Sequence, residues 1–316
     1  MEKKRIIILL STYNGERFIR QQLDSILNQA EVTPFLLIRD DGSEDATCCI
    51  LREYAEKHHN IKIYNEGNIG STQSFMKLLA YAYETFPAAN YFAFSDQDDI
   101  WLEHKLAHAI DMLEQQQETP TTPLLYCSNL RIVDSNLTMI GFMHKEQEAE
   151  RNKAKSLVES FATGCTMVFN KEALRLACIV PSHRVILHDL LLFHVCMFMG
   201  RVTYDSTALI LYRQHQHNQI GANATASNIA RNKIKSIKTL RQQHFREEEA
   251  HLIHEYYSLL LSEEDETLLR VLLEYRHSPL IKLKWLLGYK KPYSDIKMSS
   301  RMANIILKIR ILINHV

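Results

Sequence analysis

Two hydrophobic periods alternate along the first hundred residues. Ile6–Leu10 is a continuous aliphatic run, the pattern of a strand buried on both faces of a parallel sheet. Phe18, Ile19, Leu23, Ile26 and Leu27 then recur at helical spacing within residues 16–29. The alternation continues with strands at Phe35–Ile38, Ile61–Tyr64 and Tyr91–Phe94. Between them helices run from an N-cap at Ser43 to Lys57 and over Ser71–Thr85. The order β-α-β-α-β-α-β predicts an α/β protein with a mainly parallel, doubly wound sheet. Such sheets bind ligands outside the carboxyl ends of their strands. Three of the four strand ends carry polar clusters, at residues 11–14, 39–43 and 95–99.

Further along, the pattern predicts a helix from Trp101 to Gln117. Strands follow at Leu124–Cys127, Leu130–Val133, Thr163–Asn170, Arg201–Asp205 and Ala208–Tyr212. Glu172–Cys178 reads as a helix, His144–Lys155 as a loop or surface helix, and His188–Met199 as a strongly apolar segment. After Gly221-Ala222-Asn223 helical periodicity persists to residue 316, with Pro279 and Pro292 as breaks. A subdomain boundary is expected near residue 224.

Composition narrows the class. The chain has 316 residues, 37 Lys+Arg, 37 Asp+Glu and a formal net charge of zero, which argues against a uniformly basic nucleic-acid binder. Its six cysteines form no CxxC pair and no zinc spacing, so free thiols in a reducing compartment are expected. The Ile6–Leu10 run falls short of the roughly 7–15 apolar residues of a signal core. No window offers about 20 uninterrupted apolar residues. The expectation is a cytoplasmic protein whose membrane contact, where it has one, is peripheral on the inner face.

Asp96-Gln97-Asp98 places two carboxylates two residues apart in a loop after a strand. This arrangement shares one hard divalent cation or, equally, makes a solvated acidic turn ahead of a helix. Its context is more specific. Leu10-Ser11-Thr12-Tyr13-Asn14, Arg39-Asp40-Asp41-Gly42-Ser43-Glu44-Asp45 and Asp96-Gln97-Asp98-Asp99, in that order, resemble the nucleotide-sugar domain of family 2 (GT-A fold) glycosyltransferases. Thr163-Gly164-Cys165-Thr166-Met167-Val168-Phe169, His188-Asp189 and Tyr212-Arg213-Gln214-His215 look like blocks of the bacterial rhamnosyltransferase-type members, which build cell-surface polysaccharides. The resemblance covers residues 5–223. It implies a catalytic domain over 1–223, with a nucleotide-sugar half (1–118) and an acceptor half (119–223); the periodicity adds a helical region over 224–316.

The resemblance also implies roles. Ser11 and Tyr13 would line the base and ribose pocket, and Asp41 would accept from the pyrimidine N3–H edge that uracil and thymine share. Asp40 would assist or orient the loop, Asp96 would lie near the ribose, and Arg213 would neutralise the diphosphate. Asp98 would be the main ligand of Mn2+ or Mg2+, with Asp96 and His215 beside it. Asp189 would be the general base of an inverting transfer, the alternative reading being an N-cap. Asn68 and Gly70 resemble the family's Asn-x-Gly segment, and Gly70 fits a turn with positive φ. Leu190 and Leu191 depart from the family, which carries aromatics there, and so bear on the acceptor. The implied partners are a nucleotide-diphospho-sugar donor, best dTDP-L-rhamnose with UDP-sugars as alternatives, and a saccharide or lipid-linked acceptor.

The zero net charge conceals two parts. Leu280–Val316 holds eight basic residues and one acidic residue, Asp295, leaving residues 1–279 with 29 basic against 36 acidic. The basic residues interleave with Trp285, Tyr289 and Ile305–Ile313, a pattern suited to an anionic membrane surface, to packing on the catalytic domain or to a homodimer. Two rival functions stand beside this one. A dinucleotide-dependent oxidoreductase lacks its GxGxxG after the first strand. A non-catalytic membrane-bound scaffold of the same fold would bind no nucleotide.

Overall fold

The structure, a computed structural model, describes residues 3–144, 152–215 and 245–316. Its first half is β1 (Lys4–Thr12), α1 (Ile19–Leu27), β2 (Val32–Asp40), α2 (Thr47–Lys57), β3 (Ile61–Asn65), α3 (Ser71–Thr85) and β4 (Tyr91–Ser95). Then come β5 (Ile100–Trp101), α4 (Lys105–Gln115), β6 (Leu124–Ser128), β7 (Arg131–Val133), β8 (Met139–Phe142), α5 (Lys153–Ser156), β9 (Val168–Asn170), α6 (Lys171–Ala177) and α7 (His188–Met199). The order closes with β10 (Arg201–Asp205), β11 (Ile210–Arg213), α8 (Phe245–Tyr257), α9 (Glu263–Glu274), α10 (Pro279–Leu287) and α11 (Arg301–Leu312).

Seven strands form one sheet in the order β10-β6-β9-β4-β1-β2-β3. β1 pairs in parallel with β2 and β4, and β2 with β3. The chain therefore winds outward from β1 to β3 and returns to β4 on β1's other side, which makes the β1/β4 edge a topological switch point. Ile6–Leu10 has no exposed residue because both sheet faces are covered. Ile6, Ile8 and Leu10 share one apolar cluster with Ile19, Leu23, Leu51 and Ile110, from helices α1, α2 and α4. Ile7 and Leu9 alternate to the opposite face.

Long-range pairing overrides local pattern in three places. Ile100–Trp101 is a strand, so the helix expected from Trp101 starts at Lys105. The reason is a second sheet, β5-β11-β7-β8, in which Trp101 pairs with Ile210 and Ile100 with Leu211. The strand expected over Thr163–Asn170 shrinks to β9, preceded by a 3-10 turn at Gly164–Thr166, and β9 runs antiparallel to β4 and β6. Pro34, one residue before the strand read at Phe35–Ile38, lies inside β2. β3 begins pairing only at Leu36, so the proline removes no ladder bond on that side.

Two compact units divide the chain. One comprises Met1–Ala149, Ala162–Cys196 and Gly200–Ala222, the other Glu150–Phe161, Met197–Met199 and Asn223–Val316. The boundary expected near 224 lies outside the described residues. Within the second unit Leu252, Ile253, Tyr257, Leu269, Leu272, Tyr275 and Trp285 are buried. Ser262 and Asp265 close a capping box at the start of α9. Pro279, expected as a break, is the first residue of α10, where its missing N–H costs nothing and Ser278 caps the turn.

Candidate active site

The parallel register sets Ser11 beside Arg39 and Thr12 beside Asp40 at the carboxyl ends of β1 and β2. Arg39 is fully buried. Its guanidinium donates to Asp41 Oδ1 at 2.6 Å, Ser74 Oγ at 3.0 Å, Glu66 Oε2 at 3.0 Å and the Gly67 carbonyl at 2.9 Å. Ser11 Oγ meets Ser74 Oγ at 2.6 Å, which joins the first loop to the same network. Asp41 also accepts from Ile69 N at 2.8 Å and Gly70 N at 2.9 Å. Gly70 has φ +84°, the left-handed region its position in the Asn-x-Gly segment suggested. Three donors leave Asp41 one of its roughly four acceptor positions.

Asp40 is saturated. Thr12 Oγ1 at 2.8 Å and Ser43 Oγ at 2.7 Å donate to Oδ2, while Ser43 N at 2.8 Å and the Cys48 thiol at 3.2 Å donate to Oδ1. Four donors fill a carboxylate, so Asp40 braces the loop and has no capacity left for a ligand. Of its two readings, loop orientation matches the geometry.

Tyr13 presents an exposed ring, 47% accessible, beside this network. Its backbone forms a two-way pair with Gln97: Tyr13 N donates to Gln97 Oε1 at 2.9 Å, and Gln97 Nε2 donates to the Tyr13 carbonyl at 3.0 Å. Gly15 permits this approach, because a Cβ there would lie 2.2 Å from Gln97 Oε1. The first loop and the acidic loop are thereby locked together.

The acidic loop follows β4. β11 delivers Arg213 and His215 to it: Arg213 N donates to Asp99 Oδ1 at 3.2 Å, and Arg213 Nε donates to the Asp98 carbonyl at 2.9 Å. His215 Nε2 then lies 2.8 Å from Asp98 Oδ2, with its ring 5.0 Å from that of Phe18. Arg213 is buried, and its two terminal nitrogens donate to Ser135 O at 2.9 Å and Gln21 Oε1 at 2.6 Å. Its guanidinium is thus occupied by the protein and acts on the site through the Asp98 backbone.

Asp189 belongs to the same acidic group. Burial, then the charges of Asp98 and Asp189, push the Asp96 carboxyl up to about 7. Asp189 is in the first turn of α7, while Leu187 occupies the N-cap position, so the N-cap reading of Asp189 fails. Its Oδ1 accepts from Leu190 N at 2.9 Å. Gly164 abuts it, and a Cβ at 164 would lie 3.4 Å from Asp189 Oδ2. His188 stacks on Phe75 at 4.1 Å, and burial lowers its pKa. Leu190 and Leu191 are buried, at 5% and 0% exposure. In this chain the two leucines that stand where the family carries aromatics are part of the core.

Sequence reasoning passed over four residues here. Gln97 stands inside the acidic motif as a spacer, and Arg39 stands in the polar cluster 39–43 with no role assigned to it, although the structure places it inside β2. Asp99 and Cys165 form a group with Asp96 whose ligand atoms lie within 4.8 Å of one another. Burial, with Asp98 and Asp96 adjacent, raises the Asp99 carboxyl well above its ordinary value. Its Oδ2 is buried with no nitrogen or oxygen partner. Burial also raises the neighbouring Cys165 thiol. Behind them Lys105 Nζ is buried over the Trp101 ring at 3.7 Å and lowered to about 7 by desolvation. Carboxylates crowded at this sheet end, with Asp98 Oδ2 facing the His215 imidazole at 2.8 Å, fit a divalent cation. Oxygen donors and an imidazole suit Mn2+ or Mg2+ better than the soft Cys165 sulfur does.

A doubly wound sheet with a carboxylate cluster at its switch point is the architecture of the GT-A glycosyltransferases. The model of glycosyl transferase family 2 matches residues 7–176, and the chain belongs to that family. It is 30% identical over 255 residues to the dTDP-rhamnosyl transferase RfbG of Shigella flexneri, covering 76% of this chain and 81% of that protein. It is 27% identical over 170 residues to the Escherichia coli UDP-Glc:alpha-D-GlcNAc-diphosphoundecaprenol beta-1,3-glucosyltransferase WfgD, covering 53% of this chain and 60% of that one. Among solved structures, S. aureus TarS in complex with UDP-GlcNAc shares the fold with a TM-score of 0.53 at 16% identity, over 98% of this chain and 92% of that one. The Pyrobaculum calidifontis mannosyltransferase PcManGT, solved with GDP-Man and Mn2+, gives 0.51 at 18% identity over 99% and 88%.

Proposed function

We propose that the protein is an inverting, divalent-cation-dependent transferase that moves L-rhamnose from dTDP-L-rhamnose to a saccharide or lipid-linked saccharide acceptor. The pathway is cell-surface polysaccharide synthesis at the cytoplasmic side. The observation that carries this reading is the convergence of Asp189 with Asp96 and Asp98 at the switch point of the sheet. The rhamnosyl donor is supported by the Shigella relative, and the lipid-linked acceptor by the name of the Escherichia coli one.

Asp41, held by Arg39, Ile69 N and Gly70 N, accepts the N3–H of the base with its remaining position. Ser11 and the exposed Tyr13 ring flank the nucleoside. Asp98, Asp96 and His215 would hold Mn2+ or Mg2+, which would supply positive charge to the leaving diphosphate. Asp189 takes the proton of the acceptor hydroxyl while that oxygen attacks the anomeric carbon opposite the departing nucleoside diphosphate. One glycosidic bond forms as the sugar–phosphate bond breaks, and no covalent nucleophile is needed.

A donor panel tests this: dTDP-L-rhamnose, UDP-glucose, UDP-galactose and UDP-GlcNAc, each with Mn2+, Mg2+ or chelator. Products are weighed by mass spectrometry and their anomeric configuration is read by NMR. Rhamnosyl transfer with inversion is expected. Transfer from UDP-glucose alone would replace the donor, a second reading that the shared N3–H edge and the Escherichia coli relative favour. Absence of turnover and of nucleotide binding under every condition would leave the scaffold reading.

A further inference from the structure

We infer that the exposed face of α11, with its basic flank, docks on an anionic lipid surface. α11 has two apolar faces. Leu307 and Ile311 are buried in the second unit, at 4% and 1% exposure. Met302, Ile305, Ile306, Ile309, Leu312 and Ile313 recur at steps of three and four on another face, and all are between 42% and 62% exposed. A contiguous apolar stripe of this kind marks an interaction surface. At 100° per residue Arg301 and Lys308 fall together along one margin of the stripe, and both are exposed. Leu280, Leu283 and Leu287 make a second exposed stripe on α10.

Trp285, which the sequence suggested as an interfacial anchor, is not part of this surface. It is 3% exposed, stands edge-on to Tyr275 at 5.4 Å and donates to the Ile296 carbonyl at 3.1 Å. The anchoring residues are aliphatic.

Charge selects the occupant. Leu280–Val316 carries eight basic residues against Asp295 alone, and Asp295 lies 3.5 Å from Lys291. A two-fold contact with a second copy would set this basic segment against itself, since an isologous interface uses the same patch twice. An anionic headgroup layer supplies the missing complement, while the Ile and Leu side chains enter the acyl boundary. α11 has 12 residues and is therefore about 18 Å long, against a hydrocarbon core of ~30 Å, so it lies in the plane of the interface. No helix among the described residues is long and apolar enough to cross a membrane.

The test is cosedimentation of the full chain with vesicles of phosphatidylcholine alone, or of phosphatidylcholine and phosphatidylglycerol in equal parts, at low and high salt. Binding is expected to the mixed vesicles and to weaken with salt. The double variant Ile305→Glu, Ile309→Glu is expected to lose it at least about tenfold, and Arg301→Gln and Lys308→Gln to weaken it about fivefold each. Each variant's melting curve is compared with the parent's to establish folding. Equal binding to both vesicle types, or undiminished binding by the Glu variant, would overturn the proposal. So would sedimentation velocity showing a dimer that the Glu variant dissociates, with no vesicle binding by the parent. The readout needs no donor, so its failure is separate from that of the proposed activity.

Discussion

His215 Nε2 and Asp98 Oδ2 are 2.8 Å apart, although 117 residues separate them in the chain. The contact exists because β5 and β11 pair in the second sheet, and Arg213 pins its own backbone to Asp99 and its side chain to the Asp98 carbonyl. A cation held between the two side chains would take the place of this hydrogen bond. Asp98→Ala is expected to abolish metal-dependent turnover, a loss of at least about 100-fold. His215→Ala is expected to raise the Mn2+ concentration for half-maximal rate about 10–100-fold. Metal titrations of initial rate check both; unchanged titration of both variants would remove these residues from the metal site.

Asp189 and the donor site are separable by experiment. Asp189→Asn keeps the shape and the hydrogen bond to Leu190 N but removes the base. Donor affinity by calorimetry is expected to stay within about twofold. The transfer rate is expected to fall about 10²–10⁴-fold. A Cβ at 164 makes ordinary contact with Asp189 at 3.4 Å, so Gly164→Ala is expected to be tolerated, whereas the added γ-methyls of Gly164→Val are expected to crowd Asp189 and slow transfer with little effect on donor affinity. Full activity in Asp189→Asn would assign the base elsewhere.

The strands around β1 were legible because their aliphatic runs are continuous and local. Motif order singles out the acidic loop, Asp41 and Asp189 as candidates, and the structure brings Asp189 to the acidic loop. Trp101 was misread because its strand partner, Ile210, lies 109 positions later and leaves no local signal. Asp40 and Asp41 look alike in sequence. What distinguishes them is the number of donors each one receives, set by Thr12, Ser43 and Cys48 on one side and Arg39, Ile69 and Gly70 on the other. Arg39 reads as the first residue of a polar loop; its burial comes from the extension of β2 to Asp40 and from the segment carrying Glu66 and Gly67, which accepts its hydrogen bonds.

Gln97 tests whether the first loop must be tied to the acidic loop. Gln97→Ala removes both bonds to the Tyr13 backbone, at a cost of about 1 kcal/mol each or less because they are exposed. Melting temperature is expected to change little, whereas KM for donor rises. Gly15→Ala forces the same separation sterically and is expected to match it in donor KM. An unchanged KM in both variants would show that the tie is structural.

Arg39 is expected to be the most sensitive position of the site. Arg39→Met leaves the buried Asp41 carboxylate without its cation, which costs about 3–5 kcal/mol in urea unfolding. Adding Asp41→Leu is expected to recover part of the stability without recovering donor binding. Failure of the second substitution to restore any stability would place the cost on the lost bonds to Glu66 and Gly67 instead.

Glu66 links the same network to pH. The Lys77 ammonium at 2.7 Å and the Tyr81 hydroxyl at 2.6 Å, with Arg39, hold its carboxyl down at about 2 from an ordinary 4.5. A carboxyl depressed in the folded state adds stability that is fully present above the unfolded value and is lost as pH falls through the folded one. The window is therefore from about pH 4.5 down to about pH 2. Solvent screening at this partly exposed position brings the contribution to about 1–2 kcal/mol. Glu66→Gln is expected to be less stable than the parent at pH 7 by that amount and to converge on it as pH falls toward 2. Urea midpoints across the range check the sign: a gap between parent and variant that stays constant with pH would mean that the Glu66 charge contributes nothing and its neutral hydrogen bonds everything.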